Sequence, residues 1–304
     1  MSRSEVLGRV QALKVYTRGE RRAPHKPLLL LVAIAALERG ARVLSFAEVE
    51  EALEPLLDGY APPVLSRHQP ELPYWYLRSD GLWTVSDADH LPLQRGGFPR
   101  MGALRQTHGG LPAELADALL ADGVLRTQVV QALLERHFPD TLHEEILEAV
   151  GVSGELPLEV AELVPQAVLR RRRDPGFRRR VLRGYEHRCA VTGFRAALGG
   201  RFLGVEAAHV KWHSMGGPDL SNNGVALEPT LHMLFDKGAW TLSDERRVLV
   251  SAEFTGTSEA VARLRQFHGK PLREPLPGYG PVDLRFIRWH RDRDKGGVFR
   301  GPAL

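Results

Sequence analysis

The 304-residue sequence contains one cysteine, Cys189. That excludes an intrachain disulfide and any zinc site built as a cysteine cage. Long apolar runs are missing as well. The longest, residues 28–37, is bounded by charge and falls short of the roughly twenty residues that span a bilayer. The opening Met-Ser-Arg-Ser-Glu runs straight into amphipathic sequence, so no secretory leader and no membrane partner are expected, and the cytoplasm is the expected compartment. Acidic residues are scarce in the second half: residues 170–304 carry 25 Lys/Arg against 14 Asp/Glu. Residues 106–169 reverse this with 2 against 11, and residues 1–105 are near balance at 14 against 12. The net charge of +4 therefore conceals a C-terminal half suited to a polyanion and an acidic middle that need not touch one. Hydrophobic content of 43% is that of a folded chain, and the length allows two domains.

Val6, Leu7, Val10 and Leu13 recur at helical spacing and predict an amphipathic helix over residues 5–17. A basic, proline-bounded loop over 18–27 then leads to residues 28–37. These are apolar on every side, as expected of the buried central helix of an N-terminal domain. Ser45 with Glu48 three residues later is a capping-box signature for a helix over 46–57. Residues 59–85 are rich in proline and aromatics. Tyr-Trp-Tyr-Leu at 74–77 and Leu-Trp-Thr-Val at 82–85 flank Arg-Ser-Asp-Gly and predict two strands joined by a turn. Further helices are expected over 112–121, 125–137 and 142–150, the last capped by Thr141. The weakly patterned stretch after Gly151 reads as a linker. The fold class expected is α+β: a mostly helical N-terminal domain with a small β-hairpin over 1–151, a linker over 152–169, and a second domain over 170–304.

The second domain opens with seven arginines in eleven residues: Arg170, Arg171, Arg172, Arg173, Arg178, Arg179 and Arg180. Such a run is expected to grip the DNA backbone with steep salt dependence. Residues 205–212 are short and apolar-rich and meet Ser-Met-Gly-Gly-Pro-Asp, which reads as a strand entering a turn. Residues 230–237 read as a short helix, with Pro229 before it and Gly238 closing it. His232 and Asp236 then lie at i and i+4 on one face, where an imidazole and a carboxylate can hold one divalent ion. Cys189 is followed three residues later by Thr192, so it is expected as a small buried apolar residue. Residues 238–250 suggest a strand pair around Ser-Asp-Glu-Arg, and Phe-Ile-Arg-Trp-His at 286–290 suggests one helical turn in the tail.

His209, Asn223, His232 and Asp236, in that order and spacing, resemble the HNH (ββα-metal) nuclease motif. The resemblance implies a hairpin carrying the first histidine, a loop carrying the asparagine and a helix carrying the last histidine. It implies a divalent metal (Mg²⁺, Mn²⁺ or Zn²⁺) at His232 and Asp236, and His209 as general base for hydrolysis of a DNA phosphodiester. Asn223 would either orient His209 or join the metal shell. Many relatives place an Asp or His directly before the base as a metal ligand. Here that position is Ala208, and Glu206 is the nearest replacement.

Arg-Arg-Ala-Pro-His-Lys-Pro from residue 21, Pro-Tyr-Trp-Tyr-Leu-Arg-Ser-Asp-Gly-Leu-Trp from residue 73, and Arg-His-Phe-Pro-Asp-Thr-Leu-His from residue 136 resemble the sulfur-binding domain of phosphorothioate-dependent, McrA-like type IV restriction endonucleases. That resemblance implies a double-stranded DNA partner with sulfur in its backbone. It implies Arg22, His25, Lys26, Pro73 and Tyr74 as contacts, and composition adds Arg67 and His68. A single HNH site cuts one strand, so double-strand cleavage would call for a homodimer or two binding events. Two other functions stay open at this level: a reader of another modification, such as a methylated base, and a DNA-binding regulator with an inactive HNH fold.

Overall fold

The computed structural model describes residues 1–18, 21–61, 68–152, 175–292 and 296–304. These fall into two compact units, one built from residues 1–16 and 23–152, the other from 17–18, 21–22 and 175–304. No helix among the described residues is long and apolar enough to cross a membrane.

The first unit begins with α1 (Arg3–Gln11), where the Ser2 hydroxyl accepts from the Glu5 amide. It ends earlier than its periodicity predicts. Part of the expected basic loop is instead a short strand pair that belongs to the second unit, β1 (Thr17–Arg18) against β2 (Arg21–Arg22). Next comes α2 (His25–Glu38), which begins inside the expected loop. Pro24 sits at its N-cap and Pro27 in its first turn, where a missing N–H breaks no helical bond. Pro27 and every residue from Leu28 to Leu37 are buried, so α2 is the centre of this unit, as its sequence predicts. β3 (Val43–Ser45) leads into α3 (Phe46–Tyr60), and the expected capping box is present. The Ser45 amide donates to Glu48 Oε2 at 2.7 Å and the Glu48 amide to Ser45 Oγ at 3.2 Å, an arrangement that stabilises a helix end by about 1 kcal/mol.

The hairpin expected over 74–85 does not form. Residues Glu71–Tyr76 are helical (α4), a 3₁₀ turn over Leu77–Asp80 follows, and Gly81 ends it in the left-handed region at φ 67°. Pro70 and Pro73 bias this segment to helical φ at the N-cap and in the first turn, which overrides the strand propensity of its aromatics. The short β4 (Thr84–Val85) finds a distant partner instead. After α5 (Met101–Leu104), β5 (His108–Gly110) lies between β3 and β4 in an antiparallel sheet. Gly109 and Gly110 permit this: a Cβ on Gly109 would lie 2.6 Å from the Trp83 ring, and one on Gly110 2.3 Å from the Arg42 carbonyl. Helices α6 (Ala113–Ala121), α7 (Gly123–His137) and α8 (His143–Val150) complete the unit. Thr141 does not cap α8; it lies within a 3₁₀ turn over Asp140–Leu142. The expected linker lies largely outside the described residues.

The second unit starts with α9 (Pro175–Gly184). An exposed two-stranded pair, β6 (Ala196–Leu198) and β7 (Arg201–Leu203), follows, then β8 (Glu206–His209) and β9 (Gly224–Leu227). β8 and β9 are antiparallel, with His209 opposite Gly224 and Glu206 opposite Leu227. Then come α10 (Pro229–Asp236), the paired β10 (Trp240–Leu242) and β11 (Val248–Val250), α11 (Ser258–Arg265) and α12 (Leu284–Arg291). The core gathers Phe177 and Val181 of α9, Ala208 and Val225 of the hairpin, Leu231 and Phe235 of α10, Trp240 of β10, and Cys189. The single turn expected near residue 286 is a full helix burying Phe286, Ile287, Trp289 and His290. The C-terminal segment pairs with residues around β10 and β11, with the Arg300 amide donating to the Gly238 carbonyl and the Leu304 amide to the Val250 carbonyl.

Candidate nuclease site and DNA-reading surface

In the second unit the expected hairpin–loop–helix arrangement is present. Side chains alternate along β8, and its two faces are used differently. Glu206 turns towards α10, where its Oε2 lies 2.8 Å from His232 Nδ1. His209 is buried against α9, its ring stacked on Phe177 at 3.8 Å and 13°. Gly224, opposite His209, makes that stack possible, since a Cβ there would lie 2.2 Å from Val181 and 3.1 Å from the Phe177 ring.

His209 Nε2 lies 2.7 Å from Asp219 Oδ1. Asp219 was legible only as the end of a Gly-Gly-Pro-Asp turn, with nothing in its spacing to mark it as a partner of the histidine. His213, half-exposed, stands 4.0 Å from the other Asp219 oxygen. The Asp219 carbonyl accepts from Arg180 at 2.8 Å, so Arg180 holds this loop. The Asn223 amide bonds to backbone groups rather than to the His209 ring. Its Oδ1 accepts from the Lys211 amide at 2.8 Å, and its Nδ2 donates to the Lys211 and Pro218 carbonyls at 3.0 and 2.9 Å. Fully buried, the amide staples both ends of the loop that carries Asp219. Gly217 makes room for it: a Cβ there would lie 1.9 Å from the Lys211 carbonyl.

On α10, His232 Nε2 faces Asp236 Oδ2 at 3.3 Å, one helical turn away. Asp236 Oδ1 accepts from Trp212 Nε1 at 2.8 Å, a bond between two buried side chains that the sequence did not announce. Glu206 is thus on one ring nitrogen of His232 and Asp236 on the other. The His232 bond, aided by the charge of Arg178 and opposed by burial, holds the Glu206 carboxyl below the usual carboxylate range. Glu206 therefore sits on the side of the His232 ring opposite Asp236, where a carboxylate orients an imidazole. His232 Nε2 and Asp236 Oδ2 are thus a nitrogen and an oxygen donor facing each other on one side of the helix. The donor set fits a divalent ion held by two protein atoms. No cluster of three or more His, Cys, Asp or Glu side chains able to hold a metal exists among the described residues.

In the first unit, His25 and His68 come together, their rings 5.6 Å apart. Lys26 Nζ is 2.5 Å from Asp80 Oδ2, and both side chains are largely buried. Tyr74 is wholly buried between Phe46 and Trp83, its hydroxyl 3.0 Å from Thr107 Oγ1. Burial pushes that hydroxyl up to about 12. Tyr74 and Pro73 are both buried, because α4 turns them inward. Arg22 lies in β2. Arg67, Arg170, Arg171, Arg172 and Arg173 lie outside the described residues. Arg178 and Arg179 are exposed on α9.

A β-hairpin, loop and helix carrying these residues define a ββα nuclease, and residues 189–243 match the HNH endonuclease family. HNH nucleases generally use a divalent metal ion. Residues 3–155, half of the chain, match the ScoMcrA-like DNA sulfur-binding domain, and the chain belongs to that family. Among solved structures it is similar to the sulfur-binding domain of SprMcrA complexed with phosphorothioated DNA, at 28% identity and a TM-score of 0.42, covering 50% of this chain and 95% of that one. It is similar to the modification-dependent restriction endonuclease TagI at 28% identity and a TM-score of 0.31, covering 39% of this chain and 37% of that one. It is also similar to the type IV phosphorothioation-dependent restriction endonuclease ScoMcrA at 25% identity and a TM-score of 0.39, covering 46% and 27%. No curated protein matches the chain. Its HNH domain makes it an endonuclease.

Proposed function

We propose that the chain reads phosphorothioated double-stranded DNA with residues 1–151 and hydrolyses a phosphodiester with residues 170–304, residues 152–169 serving as linker. The observation that carries the nuclease half is the seating of His209, fixed by Phe177 on its face and Asp219 at its edge. With Nε2–H donating to Asp219 Oδ1, Nδ1 is the basic nitrogen and takes a proton from the attacking water. Asn223 acts through Asp219 by holding the loop that presents it. His232 Nε2 and Asp236 Oδ2 would hold Mg²⁺ or Mn²⁺, which when bound stabilises charge on the phosphate and the leaving oxygen. Glu206 fixes the tautomer of His232, and Trp212 fixes the orientation of Asp236. Arg178 and Arg179 carry the backbone-gripping role, joined by the arginines at 170–173. One site cuts one strand, so a double-strand break takes two engaged chains.

For the reading half, His25 and His68 are the contact candidates supported by their meeting, with Arg22 and Arg67 beside them in sequence. Sulfur is larger, softer and less hydrated than oxygen, so carbon atoms contact it with little desolvation. An oxygen in the same place loses hydrogen bonds, at about 1–3 kcal/mol. His209→Ala is expected to bind a phosphorothioated duplex as wild type does and to leave it uncut. Residual cleavage by that variant would remove His209 as the base.

A further inference from the structure

The β6–β7 hairpin serves none of the groups described so far. Among the described residues its strands pair only with each other. Ala196 faces Leu203, Ala197 faces Phe202 and Leu198 faces Arg201, around a Gly199-Gly200 turn with φ of 56° and 76°. Two positive φ values give the tight turn that glycine favours and that keeps the strands narrow. A lone two-stranded hairpin is marginal in water. This one nonetheless keeps large apolar side chains outside, with Leu198 77% exposed, Leu203 47% and Phe202 43%. Exposed apolar clusters of this kind mark contact surfaces.

Opposed residues share a face, so Leu198, Arg201 and Leu203 stand on one side and Phe202 on the other. Phe202 is anchored at the base by His187, stacked at 4.3 Å, and by the Arg195 guanidinium 4.5 Å over its ring. Burial, then the charges of Arg195, Arg178 and Arg183, hold His187, the ring stacked on Phe202, below its ordinary value. Between Glu186 and Glu206 the chain has no acidic residue. β7 runs through Gly204 and Val205 straight into β8, the strand that carries Glu206 and His209.

We propose that this hairpin is a DNA-contacting arm of the nuclease domain, with its Leu198–Arg201 tip seated in a groove of the duplex beside the phosphate being cut. Charge selects the occupant. An apolar tip flanked by arginines and free of acids suits a polyanion with apolar base edges, whereas a second copy of the same arm would bring like charges together. Arg201 meets the backbone and Leu198 leans on a base step, a division of labour that groove-binding proteins use. The position of the cut phosphate rests on the HNH reading; the contact itself does not.

The test compares the full chain with its Leu198→Ser and Arg201→Ala variants on one labelled phosphorothioated duplex. Arg201→Ala is expected to lower the slope of log affinity against log salt by about 1. Leu198→Ser is expected to slow single-turnover cleavage about tenfold or more. Thermal unfolding should be unchanged, because both side chains are exposed. Wild-type salt slope and cleavage rate in both variants would overturn the arm. So would sedimentation showing a wild-type dimer that Leu198→Ser turns into a monomer, since the tip would then be a contact between chains. If wild type binds DNA and never cuts it, the nuclease reading fails alone, and the salt slope still decides the arm.

Discussion

Trp212→Phe isolates the ligand helix from the rest of the site. Trp212 Nε1 donates to Asp236 Oδ1 at 2.8 Å, while the other carboxylate oxygen faces His232 Nε2 at 3.3 Å. Both partners are buried, so water does not replace the lost donor. Phenylalanine keeps most of the ring, including much of its edge contact with Trp289, and removes only the N–H. A hydrogen bond to a charged group is worth about 1.5–3 kcal/mol, or roughly a 10- to 150-fold change in an equilibrium constant. Partners that orient a metal ligand typically change metal affinity by about 10- to 100-fold. The two estimates overlap. The Mn²⁺ concentration giving half-maximal cleavage is therefore expected to rise about 10- to 100-fold, with the rate at saturating Mn²⁺ within a few-fold of wild type. Metal titration of single-turnover cleavage, with circular dichroism to verify folding, is the assay. An unchanged half-saturation point in a folded variant would refute Asp236 as a ligand that Trp212 orients.

Three further outcomes follow from other contacts. Asp219→Asn should reduce single-turnover cleavage by about 10- to 100-fold with little change in DNA affinity. Combined with His209→Ala it should add almost nothing; full additivity in the double mutant would separate the pair. Gly224→Ala should destabilise the nuclease unit by about 1–3 kcal/mol in denaturant titrations, because its methyl strikes Val181 and the Phe177 ring. It should also slow cleavage by displacing His209, and a stable, fully active variant would contradict that packing. His290, fully buried between Thr241 Oγ1 and the Phe235 carbonyl, is held by burial at about 3, against an ordinary 6.5. The unfolded chain takes up this proton below 6.5 while the folded chain refuses it until about 3. Stability therefore falls as pH drops through that window, by up to about 1.4 kcal/mol per pH unit. Denaturant midpoints of wild type and His290→Gln across pH 7 to 4 check this, and equal slopes would contradict it.

What the sequence disclosed was mostly local. His232 and Asp236 are one helical turn apart, so spacing alone put them on one face. The same holds for Ser45 with Glu48, and for the continuous apolar run that became α2. Errors arose where a distant residue decided the outcome. β4 pairs with β5 rather than with the aromatic segment before it, so the predicted hairpin gave way to α4. Proline could have warned of this, since Pro70 and Pro73 fix helical φ where alternating aromatics suggested a strand. Within the site, Asp219 and Trp212 escaped notice for one reason. Each reads as punctuation, a turn residue and a strand end, until the loop stapled by Asn223 brings it to its histidine or carboxylate.

The reading of two coupled domains is tested most directly by incubating the full chain with matched plasmids that differ only in backbone phosphorothioation, in Mg²⁺ and in Mn²⁺. Metal-dependent cleavage confined to the sulfur-bearing plasmid is the expected result, and it should vanish with EDTA. Equal cleavage of both plasmids would contradict sulfur reading by the first unit and leave the nuclease assignment standing.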